Sequence, residues 1–115
     1  MKRILVVDDE KEYCDFFNNY LMSRGCIVDI AYDGLSAKDM ITAKKYDYIF
    51  FDCNMPEMSG VELIKVIKER NPGARKVMIS GYDLIDEDFV KNMECDAFLS
   101  KPISLEKIKE LVKDV

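Results

Sequence analysis

The chain has 115 residues, of which 49% are hydrophobic and 34% charged, a balance typical of one globular domain over residues 1–115. Its formal net charge of −5 argues against a nucleic-acid-binding surface, which needs clustered lysine and arginine. The absence of histidine excludes Ser-His-Asp and Cys-His catalysis, histidine-ligated metals and a role as a phosphohistidine carrier.

Short apolar runs alternate with helical patterns in the first half of the chain. Residues 4–7 and 27–31 are predicted strands. An amphipathic helix lies between them, with Gly25 as its stop signal, and a second helix follows the second strand. The predicted apolar positions of these two helices are Tyr13, Phe16, Phe17, Tyr20 and Leu21, then Ala37, Met40 and Ile41.

The same alternation continues to the end of the chain. Residues 48–51, 76–80 and 97–100 are predicted strands; residues 71–73 end the third helix and Ser104 caps the fifth. The predicted apolar positions of the last three helices are Val61, Ile64 and Ile67, then Phe89, Val90 and Met93, then Leu105, Ile108, Leu111 and Val112.

This order of elements predicts an α/β fold with a doubly wound, five-stranded parallel sheet covered on both faces. The first, third and fourth strands are the most continuously apolar, which favours the strand order 2-1-3-4-5 and a ligand crevice at the carboxyl ends of strands one and three. The chain lacks a bilayer-spanning stretch and a signal-peptide cleavage pattern, so we expect a cytoplasmic protein without membrane contact. Its four cysteines have no zinc spacing and are expected to be reduced, mostly buried thiols.

Polar residues gather at the carboxyl ends of four predicted strands. Asp8 and Asp9 follow the first strand, Asp52 the third, Ser80 ends the fourth, and Lys101 follows the fifth. Three neighbouring carboxylates repel one another unless a cation joins them. An oxygen-only site points to Mg²⁺, Ca²⁺ or Mn²⁺, and its place next to a loop fits one Mg²⁺ that keeps several waters. A carboxylate nucleophile, a metal, a hydroxyl and an ammonium together predict a phosphoryl-binding site. Taken singly, each residue also has a structural interpretation as a cap, a turn former or a solvated side chain.

The segments "ILVVDDE", "FFDCNMPEMSG", "MISGY" and "AFLSKP" closely resemble, in order and spacing, the signature segments of the CheY-like receiver domain of two-component response regulators. The resemblance implies that Asp52 is the phosphoacceptor. It also implies that Mg²⁺ is bound by Asp9, Asp52 and the main-chain carbonyl of Asn54, with Asp8 acting through water. By the same resemblance Lys101 is the phosphoryl partner, and the Lys101–Pro102 bond is expected to be cis.

The resemblance further implies a signalling switch that is not an enzyme, although it assists its own phosphotransfer and autodephosphorylation. Ser80 is the expected switch hydroxyl and Phe98 the switch aromatic. A sensor histidine kinase or a histidine phosphotransfer protein is the expected phosphodonor. No DNA-binding or catalytic segment follows Val115, so output is expected through contact with a protein target on the surface of the fourth helix, fifth strand and fifth helix. The chain is either a stand-alone regulator or the receiver piece of a larger protein.

Two positions depart from the family pattern. Phe98 stands where tyrosine is common. Because phenylalanine has no hydroxyl group to hydrogen-bond to water, we expect a smaller difference between its inward and outward rotamers in the two signalling states. Glu94 replaces the glycine that usually ends the fourth helix, and we expect Glu94 to avoid the left-handed conformation.

Two further residues are expected to border the path of the water that hydrolyses the aspartyl phosphate. The Asn54 amide is short and can hold that water, whereas the broad Tyr82 ring is expected to shield the phosphorus unless it only packs on the rim.

Two other functional classes share this sheet type. An aspartate-based phosphohydrolase generally needs an acid two residues after the nucleophile, where this chain has Asn54. A flavodoxin-like cofactor binder needs a phosphate-cradling loop after the first strand, where this chain is acidic.

Overall fold

The computed structural model describes residues 1–53, 58–81 and 94–113. The elements in chain order are β1 (Arg3–Val7), α1 (Lys11–Ser23), β2 (Ile27–Ala31), α2 (Gly34–Ala43), β3 (Tyr48–Asp52), α3 (Gly60–Arg70), β4 (Arg75–Ser80), β5 (Ala97–Ser100) and α4 (Leu105–Leu111). The five predicted strands are confirmed, with shifts of at most one residue at their ends. The helix predicted around Phe89, Val90 and Met93 lies outside the described residues, so α4 is the helix that the sequence predicted as the fifth.

All strand pairs are parallel, and the sheet has the predicted order β2-β1-β3-β4-β5. Burial follows this order. Every residue of the central strand β3 is buried, whereas the edge strands β2 and β5 have mostly half-buried residues. A parallel sheet packed on both faces demands continuous apolar strands in its middle, which is the pattern of the sequence.

Two hydrophobic clusters cover the two faces of the sheet because successive side chains of each strand point to opposite sides. Ile4, Phe50 and Val77 belong to the cluster that includes residues of α1 and α4. Leu5 and Ile49 belong to the cluster that includes residues of α2 and α3. The described helices therefore form a layer on each face of the sheet.

The predicted helix ends are largely confirmed. Gly25 follows α1 with φ of 81°, and α3 ends at Arg70, directly before the Asn-Pro-Gly sequence. The Ser104 hydroxyl caps α4 by accepting a hydrogen bond from the backbone nitrogen of Lys107 at 3.3 Å. Ser59 caps α3 in the same way.

Three predicted apolar positions were wrong. Phe16, Val61 and Leu105 are 38%, 49% and 37% exposed, respectively. Val61 and Leu105 lie in the first turn of their helices. In α1 the buried side chains are Cys14, Phe17 and Leu21, so a small buried cysteine takes a position on the inward stripe and Phe16 turns outward.

Glu94 also contradicts the sequence prediction, because it adopts φ of 61° in the left-handed region. The conformation that glycine usually provides is therefore kept without glycine. The Glu94 carboxylate forms an ion pair with Lys68, at the end of α3, which favours this position of the side chain. Two residues later, the Asp96 carboxylate accepts a hydrogen bond from the backbone nitrogen of Lys76 at 2.7 Å and ties the same segment to β4.

Candidate phosphoryl and metal site

Four strand ends bring the predicted site residues to one edge of the sheet. Asp8 directly follows β1, Asp52 is the last residue of β3, Ser80 is the last residue of β4, and Lys101 directly follows β5. The register places Asp52 beside Ile79, one residue before Ser80, and Ser80 beside Ser100, one residue before Lys101. The expected convergence at the carboxyl edge is therefore present in the fold.

Lys101 joins the two buried carboxylates of the crevice. Its Nζ lies 3.0 Å from Oδ2 of Asp52 and 3.2 Å from Oδ2 of Asp8. The backbone of Lys101 is held as well, since its nitrogen donates a hydrogen bond to the carbonyl oxygen of Ser80 at 2.8 Å. The Lys101–Pro102 bond is cis, as expected.

Three polar side chains of the crevice are almost completely removed from water. Asp8 is fully buried, and Asp52 and Ser80 are only 6% and 1% exposed. Burial and the nearby charge of Asp52 both raise the pKa of Asp8. The hydrogen bond that Oδ1 of Asp8 accepts from the Glu10 backbone nitrogen, at 2.9 Å, lowers this pKa. The net result is a pKa above the usual value, which means that the folded protein destabilises the charged form of Asp8.

The pKa of Lys101 moves in the direction that keeps it charged. Burial alone would lower this pKa, but hydrogen bonds to Glu10 and Asp52 and the charges of Asp52 and Asp8 outweigh burial and raise it. The crevice therefore contains a permanent ammonium among carboxylates.

Four acidic residues offer carboxylate oxygens within 4.8 Å of one another: Asp8, Asp9, Glu10 and Asp52. Asp9, unlike the buried Asp8, is exposed. Among the residues that the structure describes, Oδ2 of Asp8 is a buried oxygen without a hydrogen-bond partner, and its nearby positive charge is that of Lys101. A buried anionic oxygen with spare acceptor capacity, beside other carboxylates, fits a hard divalent cation such as Mg²⁺.

Of three further expected site residues, Phe98 lies on β5, and Asn54 and Tyr82 lie outside the described residues. Phe98 is half-buried on the edge strand β5, opposite Met78 of β4 and three residues before Lys101. Asn54 and Tyr82 lie outside the described residues, so the carbonyl ligand and the two residues of the hydrolysis path stay predictions from the sequence.

The sequence did not indicate a role at the site for Glu10, and it indicated Tyr13 only as an apolar position of the first helix, yet both residues contact Lys101. Oε1 of Glu10 lies 2.6 Å from Nζ, and the Tyr13 ring centroid lies 4.6 Å from the same atom. The available signal was the position of both residues at the start of the helix that follows Asp8 and Asp9.

Comparison with known proteins agrees with this geometry. The model of the response regulator receiver domain family matches residues 4–113. The transcriptional regulatory protein ZraR of Klebsiella oxytoca is 32% identical over 108 residues, which cover 92% of this chain and 24% of ZraR. The hybrid signal transduction histidine kinase L of Dictyostelium discoideum is 32% identical in an alignment of length 120, gaps included, that covers 96% of this chain and 7% of the kinase. The chain thus spans less than a quarter of the length of either relative.

Solved structures show the same fold over nearly the whole chain. The response regulator TrrA of Thermotoga maritima, in complex with Mg²⁺ and beryllofluoride, matches with a TM-score of 0.85 and 30% identity over 99% of this chain and 98% of TrrA. A CheY-like receiver domain protein of Methanospirillum hungatei matches with a TM-score of 0.84 and 36% identity over 99% of this chain and 95% of that protein. In the described part of the chain, no helix has the length and apolar character needed to cross a membrane.

The family match over residues 4–113, the parallel sheet order and the acidic crevice with its lysine agree: the chain belongs to the receiver domain family of two-component response regulators.

Proposed function

We propose that Asp52 is the phosphoacceptor of this receiver domain. The observation that carries the proposal is the contact of Asp52 with Lys101, at 3.0 Å, in a crevice that also contains Asp8. A carboxylate oxygen of Asp52 attacks the phosphorus of the donor, a new P–O bond forms, and the bond from phosphorus to the donor's leaving group breaks. The Lys101 ammonium then pairs with the negative charge of the phosphoryl oxygens.

The metal in this proposal is Mg²⁺, held by Asp9, Asp52 and the main-chain carbonyl of Asn54, with Asp8 contributing through water; Mn²⁺ accepts the same oxygen ligands. When bound, Mg²⁺ neutralises negative charge on the transferring phosphoryl group. The oxygen without a hydrogen-bond partner on Asp8 and the carboxylate cluster support this assignment.

The proposed donor is the phosphohistidine of a sensor kinase or of a phosphotransfer protein, since this chain has no histidine of its own. The proposed output is contact with a protein target through the surface of the predicted fourth helix, β5 and α4, which changes on phosphorylation. Ser80 and Phe98 are the proposed switch residues: Ser80 ends β4 at the crevice, and Phe98 lies on the strand that leads directly into Lys101. A ligand shifts such an equilibrium only by its differential affinity, so phosphorylation must favour the active conformation.

We place this receiver, as one domain over residues 1–115, in the reducing cytoplasm. The free thiols of Cys14, Cys26, Cys53 and Cys95 support that compartment. The chain matches a small part of ZraR and of the hybrid kinase but nearly all of TrrA. The proposal therefore includes both a stand-alone regulator and a receiver domain within a larger protein.

The test is phosphorylation by acetyl phosphate in the presence of Mg²⁺, followed by intact-mass and peptide mass spectrometry. We expect one phosphoryl group, located on Asp52, and none on a folded Asp52→Ala variant. Asp39→Ala is the matched control, because Asp39 is an exposed aspartate on α2, and it is expected to be labelled like wild type. A label on Ser80, or one that persists in Asp52→Ala, would contradict the assignment.

A further inference from the structure

The Lys101 ammonium is fully occupied by carboxylates in this structure. An ammonium has three N–H donors. These donors are directed to Oε1 of Glu10 at 2.6 Å, to Oδ2 of Asp52 at 3.0 Å and, more weakly, to Oδ1 of Asp8 at 3.4 Å. Three carboxylates thus share the positive charge, and an additional anion can approach Nζ closely only if one of them gives way.

Glu10 is held in place for this contact by its own backbone. It is the N-cap residue of α1, and its backbone nitrogen donates a hydrogen bond to Oδ1 of Asp8 at 2.9 Å. The Glu10 side chain therefore starts beside the crevice. The Tyr13 ring, one helical turn later, lies 4.6 Å from Nζ and supports the ammonium by a cation–π contact.

The three carboxylates differ in what they lose when Lys101 turns to a new anion. The Asp8 side chain is fully buried and the Asp52 side chain is only 8% exposed, so neither gains water in place of the ammonium. The Glu10 side chain is 55% exposed, so water can replace its contact with Lys101. Glu10 is therefore the partner that is released at the lowest cost.

We propose that Glu10 is a positioning residue that occupies, at Lys101, the place of a phosphoryl oxygen until Asp52 is phosphorylated. Its carboxylate holds the ammonium at the mouth of the crevice and competes with the phosphoryl group for the same N–H donor. Glu10 thereby lowers the affinity of the site for a phosphoryl group. This inference rests on the proposed phosphorylation of Asp52.

The experiment titrates beryllofluoride, a phosphoryl mimic, into the Mg²⁺-saturated protein and follows binding by NMR. We expect Glu10→Gln to bind beryllofluoride about two- to five-fold more tightly than wild type, the range typical of losing one partly exposed ion pair. Glu12→Gln is the matched control, because Glu12 is an exposed acid in the first turn of the same helix. It removes the same charge and is expected to leave the affinity within about two-fold of wild type.

A conservative variant separates the contact from the charge. Glu10→Asp keeps the negative charge but shortens the side chain by one methylene, so we expect it to bind beryllofluoride as tightly as Glu10→Gln does. If Glu10→Asp behaves like wild type, charge alone acts and the inference is overturned. The Mg²⁺ dissociation constant of Glu10→Gln is measured in parallel, and we expect it to change by less than about two-fold because Glu10 acts on Lys101.

The remaining outcomes are also decisive. Unchanged or weaker beryllofluoride binding by Glu10→Gln overturns the inference, and a weaker affinity for Mg²⁺ identifies Glu10 as a metal ligand instead. A wild-type protein that neither binds beryllofluoride nor accepts a phosphoryl group refutes the proposed function itself. Wild-type binding with no effect of Glu10→Gln refutes only the role of Glu10.

Discussion

Gly60 lies against the backbone of Cys53, the residue that follows Asp52. The backbone nitrogen of Gly60 donates a hydrogen bond to the carbonyl oxygen of Cys53 at 3.1 Å, and a Cβ added to Gly60 would lie 2.9 Å from the Cα of Cys53. The first turn of α3 thus packs directly behind the strand end that presents Asp52. A glycine is required there by close approach.

This contact predicts that Gly60→Ala destabilises the fold by about 1–3 kcal/mol, the usual cost of forcing a methyl group into a packed site. Chemical denaturation measures the effect. Gly73→Ala is the matched control, because a Cβ at Gly73 meets no atom within 4 Å, and it is expected to be neutral or slightly stabilising. Displacement of Cys53 also moves Asp52, so we expect Gly60→Ala to bind beryllofluoride more weakly. Equal stability of the two alanine variants would contradict this interpretation.

Mg²⁺ is predicted to stabilise the folded protein, because the crevice brings carboxylates together that the unfolded chain keeps apart. At a concentration ten times the dissociation constant, linkage gives about 1.4 kcal/mol of added stability. Thermal unfolding with and without Mg²⁺ measures the effect. We expect Asp9→Ala to abolish it, since Asp9 is the proposed direct ligand.

The same variant gives a second, opposite readout. Without a metal, removal of the Asp9 charge relieves repulsion in the carboxylate cluster, so the melting temperature of Asp9→Ala in metal-free buffer is expected to equal or exceed that of wild type. A wild-type melting temperature that does not respond to Mg²⁺ would contradict the metal assignment.

The strands and the edge that bears the site could be predicted because both follow from local patterns. The predicted strands are mostly apolar runs of four or five residues, four of them end at or directly before a polar site residue, and parallel strands bring those ends together. Helix orientation was less predictable, since Phe16 and Phe17 are both large and apolar and only the tertiary packing decides which is buried. Cys14 takes an inward position of α1, and this displaced Phe16 from the predicted stripe.

Contacts between distant side chains and backbone could not be predicted from the sequence. Asn71 is buried at the end of α3; its Oδ1 accepts a hydrogen bond from the Tyr46 nitrogen, and its Nδ2 donates to the carbonyl oxygens of Ile41 and Lys44. The sequence indicated only a turn at Asn71. The contact of Lys101 with Glu10 joins residues 91 positions apart and needs the completed sheet.

The protein is predicted to be more stable with glycine in place of Glu94. Its φ of 61° places a Cβ in the left-handed region, which disfavours side chains other than those of asparagine and aspartate. The ion pair with Lys68 is solvent-exposed and contributes little. We therefore expect Glu94→Gly to raise the melting temperature. Glu94→Ala loses the ion pair and keeps the Cβ, so it is expected to lower the melting temperature slightly; a rise in both variants would show that the carboxylate, not the backbone, carries the cost.

The pH dependence of stability is predicted to include a contribution from Asp29, on the edge strand β2. Burial raises the pKa of Asp29, but hydrogen bonds from the Tyr46 hydroxyl, at 2.7 Å, and from Nζ of Lys44, at 3.1 Å, outweigh burial and lower it. The folded protein therefore favours the charged carboxylate more than the unfolded chain does. Between the lowered pKa and the ordinary value of 3.8, the unfolded chain binds more protons, so stability rises with pH.

It follows that the stabilisation by Asp29 is fully present above the unfolded pKa and is lost as the pH falls through the lowered, folded pKa. We expect Asp29→Asn to reduce the free energy of unfolding by about 1–2 kcal/mol at pH 7, because a hydrogen-bonded charge is replaced by a neutral amide. The difference from wild type is expected to shrink steadily below the ordinary aspartate pKa. Urea denaturation of both proteins at a series of pH values measures it, with Asp39→Asn, an exposed aspartate on α2, as the control expected to show no such difference. A deficit in Asp29→Asn that stays constant down to strongly acidic pH would mean that shape, rather than charge, makes Asp29 important to the fold.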